Sequence, residues 1–573
     1  MAAVPGAAGT LSAADILSST LYTQPYDRQL RLWGATGQIA LENSHILLIN
    51  SGPGVVGLET LKNLVLPGAG NFTIQDSAVV DEADLGINFF LEESHLGGFR
   101  AEHTCNLLKE LNPDVQGNFI TEPVESWLSQ ADALKPYTLI LATAPIRPEL
   151  LTKLTAHADQ ALVPLFYVHS VGFYSHFSVH LPPAFPIVDT HPSPETTADL
   201  RLLKPWPELL EYAKEKTKDM ENMAADDHGH IPYIAILLHC LEEWKKEHNG
   251  EAPKNYKDKT AFRDLVKKAT QTDNPEGGEE NFEEAVSAVL KSLNPPEPSS
   301  TVKDIFKAPE CVIIRENSAP FWVIAHAIGL FYTKYGVLPV PGAVPDMKAR
   351  SADYIQLQNV YKSKARKDLA EVLESVRFLE RNANMSTHIE EKDVEAFCKN
   401  AAHIKLVRGR PFHIVPAEGD LKFGSNAKSL AQKLTFPDAL IPIYIAFLAW
   451  DKFTATHTLD GLAGAPRPPG SSDAEVESDT EKVTSIALKL IDSLVKEAKY
   501  TIDEEEYDTI RTQIGELAQE LVRAGGGELH NIGALTGGIV SQEVIKVITE
   551  QYVPVDNTCV FDGVRSKSSV FKV

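Results

Sequence analysis

The sequence predicts an α/β fold in which a mostly parallel sheet, with helices on both faces, is interrupted by a large all-helical insertion. Apolar strand segments alternate with helical patterns between residues 45 and 170, which indicates parallel strands joined by crossover helices. Helical periodicity then dominates residues 200–455. After residue 482 the chain returns to a helix rich in small residues followed by a strand. We therefore expect one α/β domain built from both ends of the chain.

Five segments follow from these changes in pattern and composition. A chain of 573 residues is long enough for several domains. In chain order we predict a loose N-terminal arm (1–20), the first part of the α/β domain (21–190), the helical insertion (191–459), an acidic linker rich in Pro, Gly and Ser (460–481), and helices with the closing part of the α/β domain (482–573).

The composition excludes some classes of function. A net charge of −24 would repel nucleic-acid phosphates, so we expect no nucleic-acid partner. The charge fits either a basic protein partner or solubility alone. The first residues lack the basic region of a signal peptide, and no stretch reaches 18 apolar residues, so we expect no membrane association.

The cysteines indicate a reducing compartment. The chain has five, and no two of them lie within ten residues of each other. This spacing does not match a structural zinc site, so we predict no metal centre. An odd, sparse set of cysteines is typical of reduced thiols, which predicts a cytoplasmic or nuclear location, or both.

A glycine-rich turn joins the first strand to the first helix of the α/β region. In HILLINSGPGVVGLETLKNLVLPGAGNFTIQD (45–76), Gly52, Gly54 and Gly57 keep the GxGxxG spacing, and Asp76 ends the next strand. This order is typical of a nucleotide-binding βαβ unit. Pro53 removes one N–H donor from the turn, so a tight turn without a ligand remains the alternative.

The segment YDRQLRLWG (26–34) precedes the first strand. Its spacing predicts a short amphipathic helix that packs Leu30 and Trp33 against the sheet. In this interpretation both arginines, Arg28 and Arg31, are solvated. Physical reasoning from this segment alone favours that structural role.

These segments in this order resemble the ubiquitin-like activating enzymes and their bacterial relatives, which adenylate small sulfur-carrier proteins. The resemblance rests on YDRQLRLWG, the glycine turn with its strands, HLGGFRAEHTCNLLKELNPDV (95–115) and NIGALTGGIVSQEVIKVIT (531–549). The segment LPVPGAVPDMKARSADYIQLQNVYKSKA (338–365) narrows it to the non-catalytic subunits of the heterodimeric enzymes that act in neddylation. The resemblance implies a Rossmann-like, adenylation-type fold.

The resemblance also implies a nucleotide site that this chain has lost in part. Where the family has a second adjacent glycine this chain has Val55, and where it has a second acid this chain has Ala78. A stretch that carries Asn, Arg and Gln for the phosphates reads Asp84, Ile87 and Asn88 here. Replacing that arginine by Ile87 removes a charge and a bidentate phosphate contact.

Two further positions complete this comparison. A family lysine is replaced by Arg100, which retains the positive charge, and the loop that carries the Mg²⁺-binding Asp reads Ala142-Thr143-Ala144-Pro145. We therefore expect this chain to bind no cofactor and to retain a vestigial site made of Gly52, Gly54, Gly57, Asp76 and Arg100. ATP and Mg²⁺ would be used by the partner subunit.

The resemblance gives Arg28 a second interpretation. In dimeric relatives the arginine of this pattern reaches the nucleotide of the partner, where it stabilises charge on the transferring phosphorus. We expect Arg28 to act in trans in this way. The implied partners are a catalytic subunit that carries the thioester cysteine and a ubiquitin-like modifier of the neddylation pathway. This chain would then be a regulatory subunit that completes the partner's adenylation site and helps to bind the modifier.

Cys240, Cys311 and Cys398 lie in the insertion, where the family normally carries its catalytic thiol. A reactive thiolate needs an electropositive and partly exposed setting. None of the three has a loop of small residues around it, so we predict buried structural cysteines. This expectation agrees with a subunit that lacks the catalytic cysteine.

An apolar helical segment, SAPFWVIAHAIGLFYTKYG (318–336), is a candidate partner surface. More of its residues are apolar than one helix face needs, so it is either a central core helix or a helix that meets the catalytic subunit. His326 within it is expected to be a core residue with a hydrogen-bond partner. The candidate partner-binding residues are Phe321, Ile324, Ile328, Phe331 and Tyr332.

Three alternatives stay open at this point. The chain could be the equivalent subunit for a SUMO-type modifier, although that subunit is expected to be much shorter. It could be a self-sufficient nucleotide-binding enzyme, either an adenylating enzyme or a Rossmann oxidoreductase. It could also be a scaffold in which the adenylation fold only docks proteins.

Overall fold

The structure of the chain is a computed structural model that describes residues 20–192, 199–271, 278–386, 388–436, 438–458 and 466–573. Two compact units divide the chain. The first unit runs to Phe185 and resumes at Val407, and the second is Pro186–Leu406. The predicted N-terminal arm lies outside the described residues except for Thr20.

The helices and strands of the described residues follow each other in this order. The helices are α1 (Thr20–Glu42), α2 (Val55–Val65), α3 (Glu82–Ile87), α4 (Arg100–Leu111), α5 (Val124–Trp127), α6 (Pro148–Ala161), α7 (Pro207–Lys216), α8 (Ala225–His228), α9 (Tyr233–Glu247), α10 (Tyr256–Lys268), α11 (Glu280–Ser292), α12 (Ser300–Lys307), α13 (Pro309–Val312), α14 (Pro320–Tyr335), α15 (Ser351–Asn382), α16 (Glu391–Lys399), α17 (Ala427–Lys433), α18 (Ile441–Thr456), α19 (Val476–Ala498), α20 (Glu504–Arg523) and α21 (His530–Thr549). The strands are β1 (His45–Ile49), β2 (Asn71–Gln75), β3 (Gln116–Ile120), β4 (Leu139–Thr143), β5 (Leu165–Val171), β6 (Tyr174–His180), β7 (Phe185–Val188), β8 (Ile404–Val407), β9 (Thr558–Asp562) and β10 (Lys567–Phe571).

The first unit is built on an eight-stranded sheet in the order β10-β9-β6-β5-β4-β1-β2-β3. Strands β1 to β5 pair in parallel, whereas β6, β9 and β10 are antiparallel additions. This arrangement confirms the predicted α/β class with a mostly parallel sheet. It also confirms that the end of the chain completes the sheet, because β9 pairs with β6.

Helices cover both faces of this sheet. Leu48 of β1 faces α2, where its Cδ1 lies within 2.9 Å of the position that a Cβ on Gly57 would take. Its neighbours Leu47 and Ile49 belong to the core on the other face, with residues of α6, α18, α19 and α20. A central strand that is buried on both sides explains the continuous apolar segment HILLI.

Helices α2 and α21 pack closely because α21 presents glycines to α2. A Cβ on Gly537 would lie 2.8 Å from the backbone N of Thr60, and one on Gly533 would lie 3.2 Å from Cγ1 of Val55. Among the described residues α21 is the one helix long and apolar enough to cross a membrane, by length and composition alone. Within the first unit it is largely buried against α2, β5 and β6.

The second unit holds helices α7 to α16 and one pair of short strands, β7 and β8, which lie near its two chain boundaries. Its core includes Trp206, Phe262, Phe282 and Tyr361. The long segment that contains YIQLQNVY forms α15, a single helix of 32 residues.

The predicted end of the insertion at residue 459 differs from the structure. The compact second unit ends at Leu406, and helices α17 and α18 belong to the first unit. Twelve of the sixteen residues of α18 are buried, in the core below the sheet. Helical periodicity shows that such a segment is a helix but does not show which unit buries it, which explains the difference.

The predicted linker at 460–481 also differs from the structure where the structure describes it. Residues 459–465 lie outside the described residues, but helix α19 already begins at Val476. Asp479 is fully buried and accepts two hydrogen bonds from Arg467, at 2.9 and 3.0 Å, and one from the Gly470 N–H at 3.0 Å. An acidic composition suggested solvation, whereas this carboxylate is paired inside the fold.

Candidate functional site

The glycine turn lies at the carboxyl end of β1 and leads into α2. Gly52 and Gly54 adopt left-handed backbone conformations, with φ of 62° and 71°. A Cβ on Gly54 would lie 2.1 Å from Nδ2 of Asn50, and one on Gly57 would lie 2.6 Å from its Oδ1. The glycine spacing therefore makes room for the buried amide of Asn50 as well as for the turn.

Asp76 ends β2 beside this turn and is buried. Its Oδ2 accepts hydrogen bonds from Arg100 Nε at 2.7 Å and from Asn50 Nδ2 at 3.0 Å. Its Oδ1 accepts a hydrogen bond from the Ala78 N–H at 2.9 Å. Both oxygens of the predicted ribose-binding carboxylate thus bond to groups of the chain itself.

Arg100 begins α4 and points back into the site, where it is 5% exposed. Besides Asp76, its Nη1 donates to Asp84 Oδ1 at 3.0 Å and its Nη2 donates to the Gly52 carbonyl oxygen at 2.8 Å. Burial lowers the pKa of the guanidinium, but the two carboxylates outweigh burial and raise it overall. Arg100 is therefore charged, and each of its three nitrogens donates a hydrogen bond within the chain.

Glu528 is a site residue that the sequence did not reveal. It precedes α21, is 4% exposed, and accepts a hydrogen bond from the Val56 N–H through Oε2 at 2.7 Å. Burial raises the pKa of Glu528 to about 7, and hydrogen bonds from the N–H groups of Val56, Gly54 and Val55 counteract this in part. A carboxylate of the chain thus occupies the N-terminus of α2, which is where the glycine turn would present N–H groups to a phosphate.

The positions where the family has a phosphate-binding arginine and a Mg²⁺-binding Asp lie beside this site. Ile87 ends α3 half-exposed, and Asn88 has a buried Nδ2 without a hydrogen-bond partner in the described part of the chain. Residues 142–145 supply no carboxylate. Within the described ranges no group of three His, Cys, Asp or Glu side chains is arranged to hold a metal ion. The residues present do not fit a Mg²⁺–nucleotide complex.

Arg28 lies on α1, away from the core side of that helix. Its side chain is exposed and makes no hydrogen bond or ion pair with any described residue, whereas Arg31 pairs with Asp27 at 2.9 Å. Trp33 is buried on the same helix, as predicted. The helical backbone of α1 is interrupted at Gly34, and just before it Gln551 Nε2 donates to the Trp33 carbonyl oxygen at 2.8 Å.

The candidate partner-binding residues on α14 are mostly core residues, which corrects that prediction. Phe321, Ile324, Ile328 and Phe331 are between 0% and 7% exposed within the second unit. Their side chains are not available to a partner, and only Tyr332 is half-buried. Burial explains the apolar residues on several sides of the first part of α14, whereas Leu330 and Tyr335 near its end are 45% and 39% exposed. His326 has a partner, because its Nδ1 lies 2.7 Å from the Cys311 carbonyl oxygen.

The cysteines of the second unit are buried, as predicted. Burial is the main cause that raises the pKa of Cys240, Cys311 and Cys398 to about 12 in each case. A thiol with such a pKa is almost entirely protonated at neutral pH and is a poor nucleophile.

The structure brings Gly52, Gly54, Gly57, Asp76 and Arg100 together at the carboxyl ends of β1 and β2. It adds Asn50, Asp84 and Glu528 to them. Arg28 lies outside this set. Glu528 follows three glycines in GGGELHN, and this isolated acid in a loop of small residues was the one signal in the sequence for its role.

Comparison with known proteins places the whole site in one family. The ThiF family model matches residues 26–573. The chain is 37% identical over 558 residues to the NEDD8-activating enzyme E1 regulatory subunit of Danio rerio, which covers 96% of this chain and 98% of that protein. The subunit of the same name from Xenopus laevis is 35% identical over 96% of this chain and 98% of that protein. The NEDD8-activating enzyme E1 regulatory subunit AXL of Arabidopsis thaliana is 35% identical over 95% and 98%.

Solved structures match over a smaller part of the chain. The crystal structure of E. coli MccB with ATP covers 28% of this chain and 49% of that chain, at 16% identity and a TM-score of 0.25. A similarity this low has no bearing on the site.

Proposed function

The chain belongs to the ThiF family and, within it, to the NEDD8-activating enzyme E1 regulatory subunits. From this membership we propose separate roles for the glycine-turn site and for Arg28. The chain acts as the regulatory subunit of a heterodimer with a catalytic subunit. Its own site stays without nucleotide, and Arg28 contributes to the site of the partner. The partner carries the cysteine that forms the thioester, and it uses ATP and Mg²⁺ to adenylate the modifier.

The contacts around Arg100 support the first half of this proposal. A nucleotide that entered the turn would meet Asp76, Asp84 and Glu528, and a guanidinium whose three nitrogens each already donate to the chain. Phosphate groups need free donors and a net positive charge, whereas this site sets one guanidinium among three acidic side chains. The alternative of a self-sufficient nucleotide enzyme is therefore disfavoured by the geometry as well as by the family.

The exposure of Arg28 is the observation that carries the second half. Surface ion pairs contribute little to stability, so Arg28 loses little by staying unpaired, whereas Arg31 on the same helix pairs with Asp27. Arg28 remains available for an anionic group outside this chain. In a phosphoryl or adenylyl transfer, an arginine supplied by a second subunit stabilises the charge that develops on the phosphorus oxygens.

Replacing Arg28 by Ala in the assembled heterodimer tests this role. We expect adenylation of the modifier, measured as ATP–pyrophosphate exchange, to fall by at least about a hundredfold, because one charge-stabilising donor is lost. The matched control is Arg31→Ala on the same helix, for which we expect a change within about twofold. Size-exclusion chromatography checks that both variants still assemble.

Unchanged adenylation would instead support the hypothesis that this chain is a scaffold. If Arg28→Ala and Arg31→Ala heterodimers adenylate at the same rate as the unmodified complex, this chain does not act on the nucleotide of the partner. Its contribution would then be limited to completing the fold of the partner and to binding the modifier. The compartment is proposed to be the cytoplasm, the nucleus or both, since the cysteines are free thiols.

A further inference from the structure

We infer that Glu528 takes the place of a nucleotide phosphate at the N-terminus of α2 and thereby holds the site of the first unit closed without a ligand. This inference rests on the proposed function, because it explains how the chain can keep a nucleotide-type turn and bind no nucleotide. It goes further by naming the residue that fills the turn and the class of ligand, an inorganic polyphosphate, that its removal should admit.

Helix α2 has no N-cap side chain of its own. Gly54 occupies the cap position in a left-handed conformation and provides no side-chain hydrogen bond. The first N–H groups of a helix need an acceptor when they are buried, and they favour a negative charge. Glu528 supplies that acceptor from 472 residues further along the chain, at 2.7 Å from the Val56 N–H.

The loop that carries Glu528 is fixed in place on both sides. The Gly172 N–H at the end of β5 donates to the Gly527 carbonyl oxygen at 2.9 Å. On the other side, a Cβ on Gly533 would lie 3.4 Å from Oε2 of Glu528, so α21 passes close to the carboxylate. The carboxylate is therefore held by the backbone around it and is not a surface side chain that happens to fold inwards.

A second polar group beside the turn also points to a former ligand. Asn50 is 4% exposed, and its Oδ1 has no hydrogen-bond partner in the described part of the chain. This oxygen lies close to Gly54 and Gly57. A buried acceptor without a donor costs free energy, and its presence here fits a site shaped around a group that the chain no longer binds.

The charges around the turn explain why a phosphate does not replace Glu528 in the unmodified chain. Three carboxylates, those of Asp76, Asp84 and Glu528, surround one guanidinium. Removal of Glu528 frees the N–H groups of Val55 and Val56. An anion of similar reach, such as pyrophosphate, could then bind the exposed N–H groups.

The test uses the full chain with Glu528→Ala, and inorganic pyrophosphate and sulfate as probes. We expect the variant to melt at a lower temperature than the unmodified chain and to regain at least about 2 °C as pyrophosphate is raised to millimolar concentration, because a ligand that binds only the folded state stabilises it. The unmodified chain should show no such shift. If Glu528→Ala is insoluble, the yield of soluble chain after refolding with and without pyrophosphate replaces the melting temperature.

Two further variants test whether the response to pyrophosphate needs an empty turn, the loss of a charge, or only a less stable chain. Glu528→Gln fills the turn without a charge, so we expect it to fold and to show no shift with pyrophosphate. Glu543→Ala is the matched control, because Glu543 is also buried and accepts a backbone N–H, that of Val555, at 2.8 Å. It should be destabilised and should not respond to anions.

Two results would overturn the inference: a Glu528→Ala chain that no anion stabilises or recovers, or an unmodified chain that pyrophosphate stabilises equally. The proposed function fails in a different way, by tight binding of Mg·ATP to the unmodified chain or by an Arg28→Ala heterodimer of normal activity. The two sets of measurements therefore give separate answers.

Discussion

Arg100 is the residue on which the interpretation of the site depends most. From the sequence it was a stand-in for a phosphate-binding lysine, and its charge and approximate place were predicted. Its partners were not predicted, because they depend on how Asp84 and the Gly52 carbonyl meet in space. A pattern of residue types can identify the residues of a site. Whether those residues bind a ligand or bind each other depends on their distances in the folded chain.

The ion pairs of Arg100 with Asp76 and Asp84 should contribute to the stability of the fold. Arg100→Met would leave the buried carboxylates of Asp76 and Asp84 without their counter-charge, which costs about 3–5 kcal/mol. We therefore expect the temperature of the first melting transition in calorimetry to fall.

The double variant Arg100→Met/Asp76→Asn should recover part of that loss, since it removes one of the unpaired charges. Arg31→Ala serves as an exposed control and should stay within about 0.5 kcal/mol of the unmodified chain. An Arg100→Met chain as stable as this control would show that the buried network contributes nothing to the fold.

At the scale of single elements, α21 illustrates what the sequence could and could not predict. Its richness in small residues and its role as the closing helix were both expected. Which of its glycines touches another helix was not, because Gly537 and Gly538 are identical in sequence terms. Only the packing against α2 distinguishes them.

This pair of glycines gives a prediction with its own internal control. Gly537→Ala would place a Cβ 2.8 Å from the backbone N of Thr60 and 2.9 Å from Cβ of Glu59, so α21 and α2 must separate, at a cost of about 1–3 kcal/mol. Gly538→Ala meets nothing within 4 Å and should stabilise the helix by up to about 1 kcal/mol. Thermal melting of both variants checks the opposite signs.

Helix α14 shows a different limit of element-level prediction. Its apolar residues were compatible both with a core and with a partner surface, and the structure buries Phe321, Ile324, Ile328 and Phe331 in the core. The hydrophobic effect does not distinguish burial by the same chain from burial by another one. Prediction of the helix was therefore possible, and prediction of its neighbours was not.

At the scale of the whole molecule, the dependence of stability on pH combines groups of opposite effect. His176 is buried beside His169 and Tyr444, and burial, with a smaller contribution from His169, holds its pKa well below its usual value of about 6.5. Burial likewise lowers the pKa of His413 to about 4. Unfolding lets both histidines take up protons, so the stability that each contributes begins to be lost as the pH falls below about 6.5, and for His413 this loss extends down to a pH of about 4.

Glu528 acts in the opposite direction. Its pKa in the folded chain is about 7, above the ordinary value of 4.5, so the folded chain binds the extra proton and gains stability as the pH falls from 7 to 4.5. We expect His176→Phe to flatten the acid loss of stability, and Glu528→Gln to steepen it. Melting temperatures between pH 4.5 and 7.5 measure both slopes. A His176→Phe profile parallel to that of the unmodified chain would contradict this account.

The domain plan of the whole molecule was predictable in outline because periodicity changes with the type of structure. The α/β class, the helical insertion and the return of the chain to the first unit all followed from strand and helix patterns. The boundaries did not, because α18 has the composition of any buried helix and Asp479 has that of a solvated acid. The burial of α18 is decided by core residues far away in the chain, and that of Asp479 by its pairing with Arg467 and the Gly470 N–H.

The pairing of β9 with β6 has a consequence for the synthesis of the protein on the ribosome. Strand β6 emerges early, but its neighbour β9 follows nearly four hundred residues later, after the entire second unit. At the usual speed of translation this delay is about 20–80 s. The second unit is continuous in the chain and can fold during that time, whereas the first unit must wait with an open edge on its sheet. During this delay β6 presents an unpaired strand edge, which favours aggregation of the nascent first unit.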